Sequence, residues 1–353
     1  MKVKLEDVCE RESSNLKQSD VIDKQGDYPV FGASGHIGNV DFYHQESSYV
    51  AVVKDGAGIG RTALYPAKSS VIGTMQYLLP KKNVLPEYLC YVVKYMHLEK
   101  YFSGATIPHI YFKEYKSEEF NLDSLDKQVK IVSILGKIEK VIQSRQKELK
   151  LLDELIKARF VEMFGNPETN SKGWTECALS EKLNVVGGYA FKSDKFDEIS
   201  GIPVLRIGNI NSGFFRPVNL VYWKEDENLE RYTMYPGDLV MSLTGTVGKD
   251  DYGNVCILGD DYEMYYLNQR NAKLEIKEGI DKYYLSQLLK FEQIKKRLTG
   301  ISRGVRQANI SNKDILNLVV PVPPMELQEQ FAGFVKQVDK LKVVVKLTEN
   351  IAD

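Results

Sequence analysis

The chain has 353 residues, a net charge of −1, and 43% apolar and 27% charged side chains. It is therefore globular rather than disordered and long enough for two domains with cores of their own. The near-zero charge counts against a basic DNA-coating protein acting alone; the single cysteines Cys9, Cys90, Cys177 and Cys256 exclude a CxxC zinc ribbon or disulfide framework.

Residues 1–124 read as one mixed, strand-rich domain. The N-terminal MKVKLEDVCERE has no apolar core, so no signal peptide is expected, and scattered thiols fit a cytoplasmic protein. YVAVVKD (49–55) and TALY (62–65) are short β-type runs flanked by glycine. PEYLCYVVKYMHLEKYFS (86–103) has helical spacing, with Leu89, Val92, Val93 and Met96 on one face. A loop, GATIPHIYF, and a short extended stretch near Glu119–Leu122 close the domain.

Residues 125–164 form one long predicted helix without proline. Leu135, Ile138, Ile142, Leu149, Leu152, Ile156 and Met163 follow a 3-4 repeat, interrupted by Arg145 and Arg159. Such a rod would be roughly 60 Å long. FGNPETN (164–170) stops it.

Residues 171–324 repeat the first domain. IPVLRIGNI (202–210) and PGDLVMSL (236–243) read as strands, DKYYLSQLLKFEQIKKRLTG (281–300) as the counterpart helix, and NLVVPVPP (317–324) as an extended run that proline keeps from being a central strand. Residues 325–353 launch a second long helix from Pro323-Pro324, with about 25 helical residues against about 40 for the first. A plain structural reading makes both helices domain-packing elements. Their recurrence after two copies of one domain favours an antiparallel pair with a pseudo-two-fold axis. The shorter second helix would then leave roughly 20 Å of the first unpaired, with Leu149, Leu152, Ile156 and Met163 expected to be exposed.

The repetition is direct. KDGAGIGRTALY near residue 54 answers to SLTGTVGKDDYGNVCIL near 242, and YLCYVVKYMHLEKYFSGATIPHI near 88 to YYLSQLLKFEQIKKRLTGISRGVRQANI near 284. LDKQVKIVSILGKIEKV near 125 answers to MELQEQFAGFVKQVDKL near 325. The offset drifts upward by about a dozen residues, as loop insertions would cause. The expected fold class is α+β: two similar mixed α/β domains separated by two long helices packed as an antiparallel coiled coil.

Several elements recur in order: a Gly-rich turn after an apolar strand, a polar loop near SRGVRQANIS, and Val319–Pro324 leading into Glu326, Gln328, Glu329 and Gln330. In this order the chain resembles the specificity subunit of type I restriction–modification systems. The first copy departs from the pattern, with FNLDSLDKQVKIV in place of VPVPP. The resemblance spans essentially the whole chain. It implies a non-catalytic host-defence subunit whose two target-recognition domains each read half of a bipartite double-stranded DNA site. The helices would set the spacing and dock methyltransferase (M) subunits, and through them restriction/motor (R) subunits. S-adenosylmethionine, ATP and Mg²⁺ are expected on those partners, with no cofactor on this chain.

The residues agree with a non-catalytic role. GAGIG (56–60) is matched by GTVG in the second copy, which is no phosphate fingerprint. Pro323-Pro324 follows Val322 and reads as a helix start rather than a base-flipping turn. His36, His44, His97 and His109 do not fall at metal spacing. A fused DNA-modifying enzyme and a ligand-binding scaffold that dimerises through its helices are the competing classes; enzyme assays with Mg²⁺ or S-adenosylmethionine, and salt-dependent DNA retention, separate them.

Candidate DNA contacts follow from donor and acceptor chemistry. Between Glu292 and Asp314 there is no acid, but there are Lys295, Lys296, Arg297, Arg303, Arg306 and Lys313. Within that stretch, Arg303 and Arg306 suit guanine edges or phosphates, and Gln307 and Asn309 suit adenine; alternatively the segment is a solvated surface loop. The first-copy counterpart offers His109, Tyr111 and Lys113, with Thr106 against a thymine methyl, or else folds on its own core. The turns at 56–61 and 245–249 end in Arg61 and Lys249, which suits a backbone phosphate and equally a tight hairpin that needs glycine. Lys54, Thr244, Tyr189, Lys192 and Lys195 complete the set.

Overall fold

The structure is a computed structural model that describes residues 1–22, 24–56, 58–103, 108–247, 249, 251–300 and 307–349, with side chains of the last segment from 308 to 345. The chain divides into two compact units, 1–143 and 144–353, and the division falls inside the helix Leu125–Phe164.

Unit 1 is built on a four-stranded antiparallel sheet in the order Cys9–Ser13, Met75–Pro80, Tyr49–Val53, Thr62–Tyr65. YVAVV can occupy the interior of the sheet because all five of its side chains are apolar, and all five are buried. A smaller sheet pairs Tyr28–Gly32 antiparallel with Gly35–Val40 and parallel with Ser70–Val71. A ribbon of Lys2–Lys4 and Glu119–Asn121 closes the unit. The helix Pro86–Tyr95 starts on a proline that has no N–H to leave orphaned, and packs Leu89 and Val93 onto the large sheet. It ends earlier than the spacing predicts, because His97 takes a left-handed φ of 52° and only a short turn, Leu98–Tyr101, follows.

Unit 2 repeats these pairings. Its large sheet runs Leu183–Gly187, Asn271–Ile276, Leu239–Ser242, Val255–Ile257. Val50 faces Leu78 in unit 1, and Leu239 faces Leu274 in unit 2. The parallel bridge Val30–Ser70 has its counterpart in Val204–Tyr266, and the ribbon pair Lys2–Asn121 in Glu176–Pro321. Two sequence expectations change here. Residues 202–210 are not one strand: Ile202–Leu205 is, but the Asn209 side chain accepts the Arg206 N–H at 2.9 Å and turns Ile207–Ile210 into a helical corner. Residues 281–300 form two helices, Lys282–Lys290 and Glu292–Thr299, broken at the extended Phe291.

One buried amide per unit ties the start of each long helix to its domain. Gln128 is fully buried, accepts the Leu85 N–H at 2.9 Å and donates to the Asn83 and Asp123 carbonyls. Gln328 is likewise fully buried, accepts the Asp281 N–H at 2.8 Å and donates to Pro323 O at 2.7 Å. Tyr88 and Tyr284 also correspond: their hydroxyls donate to the Asn121 and Pro321 carbonyls at 3.1 and 2.7 Å.

Within unit 2 the two long helices pack antiparallel. Phe160 meets Phe331, Asp153 pairs with Lys342 at 2.7 Å, and Arg145 and Leu152 line a small pocket with Leu341 and Val344. This reverses the expectation for the seam. Ile156 is only 1% exposed, and Leu149, Leu152 and Met163 are half-buried. In an antiparallel pair the start of the second helix meets the end of the first, so the second helix, though short, covers these residues.

Candidate nucleic-acid interface

In unit 1 the Gly-rich turn follows the buried strand Tyr49–Val53. Gly56 and Gly60 have φ of 90° and 80°, and a Cβ on Gly60 would lie 2.6 Å from the Glu99 backbone, so the turn needs glycine for shape alone. Arg61 is exposed, with its guanidinium folded over Gly58. The turn is stitched to the later loop: the N–H of Gly56 donates to Pro108 O at 2.9 Å, and that of Ile110 to Lys54 O at 2.9 Å. This seam brings His109 Nδ1 into contact with the Asp55 carboxylate. The His109 ring lies against Tyr111 with centroids 4.0 Å apart, and the Lys113 ammonium sits 5.1 Å above the Tyr111 ring. Tyr111 is exposed. Lys54 is not a free cation: its side chain is 19% exposed and its ammonium lies 4.0 Å from Asp55.

Unit 2 builds the same seam from different side chains. Thr244, Gly245 and Thr246 pair antiparallel with Asn309, Ala308 and Gln307, and the Ile310 N–H donates to Leu243 O at 2.8 Å. Thr244 and Asn309 therefore stand where Asp55 and His109 stand in unit 1. Asn309 is exposed and Lys249 is exposed at the tip of the turn. A Cβ on Gly245 would come within 2.2 Å of Asp251 Oδ1, which accepts the Thr246 N–H at 2.8 Å. Burial pushes the Asp251 carboxyl up, but the hydrogen bonds from Thr246 outweigh it and hold the group below its ordinary value. Lys192 and Lys195 are exposed at a short turn; Tyr189 is partly exposed, with its ring against Phe191 and Tyr232. Arg303 and Arg306, like Thr106 of the first copy, lie outside the described residues, and Gln307 is placed by its backbone alone.

The basic stretch after Glu292 is less available than its sequence implies. Lys295 is 7% exposed and donates to Asn254 Oδ1 at 2.7 Å. Lys296 pairs with Glu292 at 2.5 Å, while Arg297 and Lys313 are exposed. Conversely, the fold adds Gln269 and Arg270, which the sequence pattern does not single out. Both are exposed at the corner between Tyr265–Leu267 and Asn271–Ile276, where the Leu243 N–H donates to Arg270 O at 2.8 Å and the Gln269 N–H to Tyr189 O at 2.9 Å. The polar run NQR between two apolar strands was their only signal in the sequence. The corresponding corner of unit 1 presents Thr74, whose carbonyl accepts the Lys54 N–H at 3.0 Å.

Each unit thus gathers a glycine turn, a cross-bridged loop and a strand corner at one place, rich in amides, cations and aromatic faces. That chemistry suits phosphates and base edges. Among the described residues, no cluster of three or more His, Cys, Asp or Glu could hold a metal ion, and no helix is long and apolar enough to cross a membrane.

The family model described as the type I restriction modification DNA specificity domain matches residues 1–154 and again residues 171–351. The chain belongs to this family. It is 27% identical over 316 residues to the type I restriction enzyme MjaVIII specificity subunit of Methanocaldococcus jannaschii, spanning 83% of this chain and 72% of that one. The EcoBI specificity subunit of Escherichia coli is 27% identical over 177 residues, 48% of this chain and 34% of its own. The crystal structure of the type I S subunit from M. genitalium shares the fold, with a TM-score of 0.60 at 16% identity, covering 100% of this chain and 92% of that one. This type I specificity subunit supplies DNA recognition to a restriction–modification complex and is itself non-catalytic; its partners are DNA and other subunits of that complex.

Proposed function

We propose that each unit reads one half of a bipartite double-stranded DNA site at its turn–loop–corner edge. One observation carries the reading: the same backbone frame holds Asp55 and His109 in unit 1 but Thr244 and Asn309 in unit 2. A shared frame docks in a shared way, and different side chains at matched positions select different bases. In unit 2, Asn309 and Gln307 suit adenine, whose N6 and N7 an amide engages bidentately; Arg303, Arg306 and Arg270 suit guanine or phosphate. Lys249 and Lys192 serve phosphates. In unit 1, Arg61 and Lys113 serve phosphates and His109 with Tyr111 faces the bases, while Lys54 supports Asp55.

With a net charge of −1 the chain neutralises few phosphates alone, so tight binding requires partner subunits that clamp the duplex. Methyltransferase subunits dock on the long helices, whose exposed Leu151, Leu155, Leu341 and Val344 offer apolar surface. The methyltransferases bring S-adenosylmethionine, and restriction/motor subunits that join through them bring ATP and Mg²⁺, in the cytoplasm. Sequencing methylated adenines in a host that expresses the chain with its methyltransferase tests this. The His109→Ala and Asn309→Ala variants should each relax a different half of the methylated site. Relaxation of the same half by both, or of neither, overturns the assignment.

A further inference from the structure

The Gly-rich turns of the two units leave and rejoin their sheets through the same bonds. In unit 1 the Gly60 N–H donates to Val53 O and the Val53 N–H to Arg61 O, both at 2.9 Å. In unit 2 the Gly253 N–H donates to Ser242 O at 2.8 Å and the Ser242 N–H to Asn254 O at 2.9 Å. Gly60 and Gly253 both sit in the left-handed region, at φ of 80° and 70°. Asn254 therefore stands where Arg61 stands, and the turn between the matched points is longer in unit 2, residues 243–252 against 54–59. Arg61 is exposed, whereas Asn254 is half-buried.

A longer turn has more backbone freedom to lose when it docks, and unit 2 wires its turn to the core. The wiring starts on the helix Glu292–Thr299, which Ile294 and Leu298 fix in the hydrophobic interior. The buried Lys295 of that helix donates to Asn254 Oδ1 at 2.7 Å. The Asn254 amide donates to Asn211 Oδ1 at 3.4 Å, and Asn211 Nδ2 donates to Asp251 O at 2.6 Å. Asp251 Oδ1 accepts the Thr246 N–H at 2.8 Å, and Thr246 O accepts the Lys249 N–H at 3.0 Å. The Tyr252 hydroxyl donates to Thr299 O at 2.9 Å, which ties the end of the turn to the end of the same helix.

We propose that Lys295 is a positioning residue for DNA recognition: through Asn254, Asn211 and Asp251 it fixes the turn that presents Lys249 to a phosphate. This role rests on the reading of Lys249 as a phosphate contact. Held in advance, the cation meets the duplex without the turn having to be ordered first, which lowers the cost of binding. Unit 1 instead carries its cation on the matched strand end itself, at Arg61.

Two variants cut the relay at different points. Lys295→Met removes the ammonium, and Asn211→Leu removes the middle amide without changing charge. Hydrogen–deuterium exchange of the full chain, read by mass spectrometry, tests the wiring without DNA. Exchange over residues 244–253 should rise at least tenfold in both variants, with residues 239–242 and 49–53 unchanged. Gel retardation against salt, in the complex with the methyltransferase, tests its use. Both variants should lower the slope of log affinity against log salt by about 1. Neither should lower it further in a Lys249→Ala background, because the same contact is lost each time. Unchanged exchange over 244–253, or an equal rise over 239–242, overturns the relay. A slope that falls with Lys249→Ala but with neither relay variant overturns the positioning role. A further fall when Lys295→Met is added to Lys249→Ala makes Lys295 a direct phosphate contact and overturns it too. If exchange rises as expected but Lys249→Ala itself leaves the slope unchanged, the phosphate reading fails and the positioning role falls with it, while the relay stands.

Discussion

The two units share their hydrogen bonds and differ in the side chains hung on them. At the turn–loop seam the Ile110 N–H finds Lys54 O as the Ile310 N–H finds Leu243 O, yet one seam displays a histidine–carboxylate pair and the other a threonine and an amide. Gln128 and Gln328 make the same kinds of bond in both units, because a helix start buried against a domain needs its orphan groups satisfied. Bonds that the fold requires recur; side chains beyond those bonds are free to diverge, and a split recognition site draws on that freedom.

The largest test of the comparison is at matched aromatic positions: Phe160 is buried against Tyr284 and Phe291, whereas Tyr95, which answers to Phe291 in unit 1, is 84% exposed. Phe160→Ala should destabilise unit 2 by about 3–5 kcal/mol, as loss of a large buried ring does. Tyr95→Ala should change stability by no more than about 0.5 kcal/mol. Urea unfolding followed by circular dichroism reads both; equal effects would mean that the two surfaces are not counterparts.

The buried amides come next. Gln128→Ala and Gln328→Ala should each cost about 2–3 kcal/mol, because each leaves a buried N–H and at least one carbonyl without a partner. A loss from only one of the two would break the equivalence of the helix starts.

At the seam, the readout is DNA. In the complex with its methyltransferase, Arg61→Ala and Lys249→Ala should each lower the slope of log affinity against log salt by about 1, without changing the site recognised. Gel retardation between low and moderate salt measures it. An unchanged slope in either variant would mean that the turn is a hairpin and nothing more.

The smallest expected effect separates the units by pH. Lys100 and then Tyr101 bond to the Glu118 carboxylate and hold it below its ordinary value of 4.5, whereas the matched position in unit 2 is the buried Leu318. A depressed carboxyl contributes its full stability above the unfolded value and loses it as pH falls through the folded one. Because Lys100 is half exposed, Glu118→Gln should cost only about 0.5 kcal/mol at pH 7. The difference from wild type should shrink by pH 3; a gap that persists there would assign the effect to packing instead of charge.

Much of the architecture was legible from pattern. The doubled motifs imply two copies, the 3-4 repeat locates the first long helix, the Pro323-Pro324 start and the likeness to the first copy locate the second, and the apolar run YVAVV between glycines reads as a strand. Less was legible at the corners. Nothing local to 202–210 announces that the Asn209 side chain caps a turn, and the break at His97 is a single left-handed residue inside a helical pattern.

Chain order and hydrophobic period, which are properties of the string, settled the class of fold, the repeat, the two long helices and the family that their order resembles. Everything that depends on which distant residues meet was left to the tertiary structure. Direction of packing decided that Ile156 is covered, and burial against Asn254 decided that Lys295 is withdrawn from a basic stretch. A strand corner, brought beside the turn only by sheet pairing, added Gln269 and Arg270 to the candidate interface. The reason is range: a helical or strand period is written within a few neighbours, whereas exposure and charge pairing are set by residues tens to hundreds of positions away.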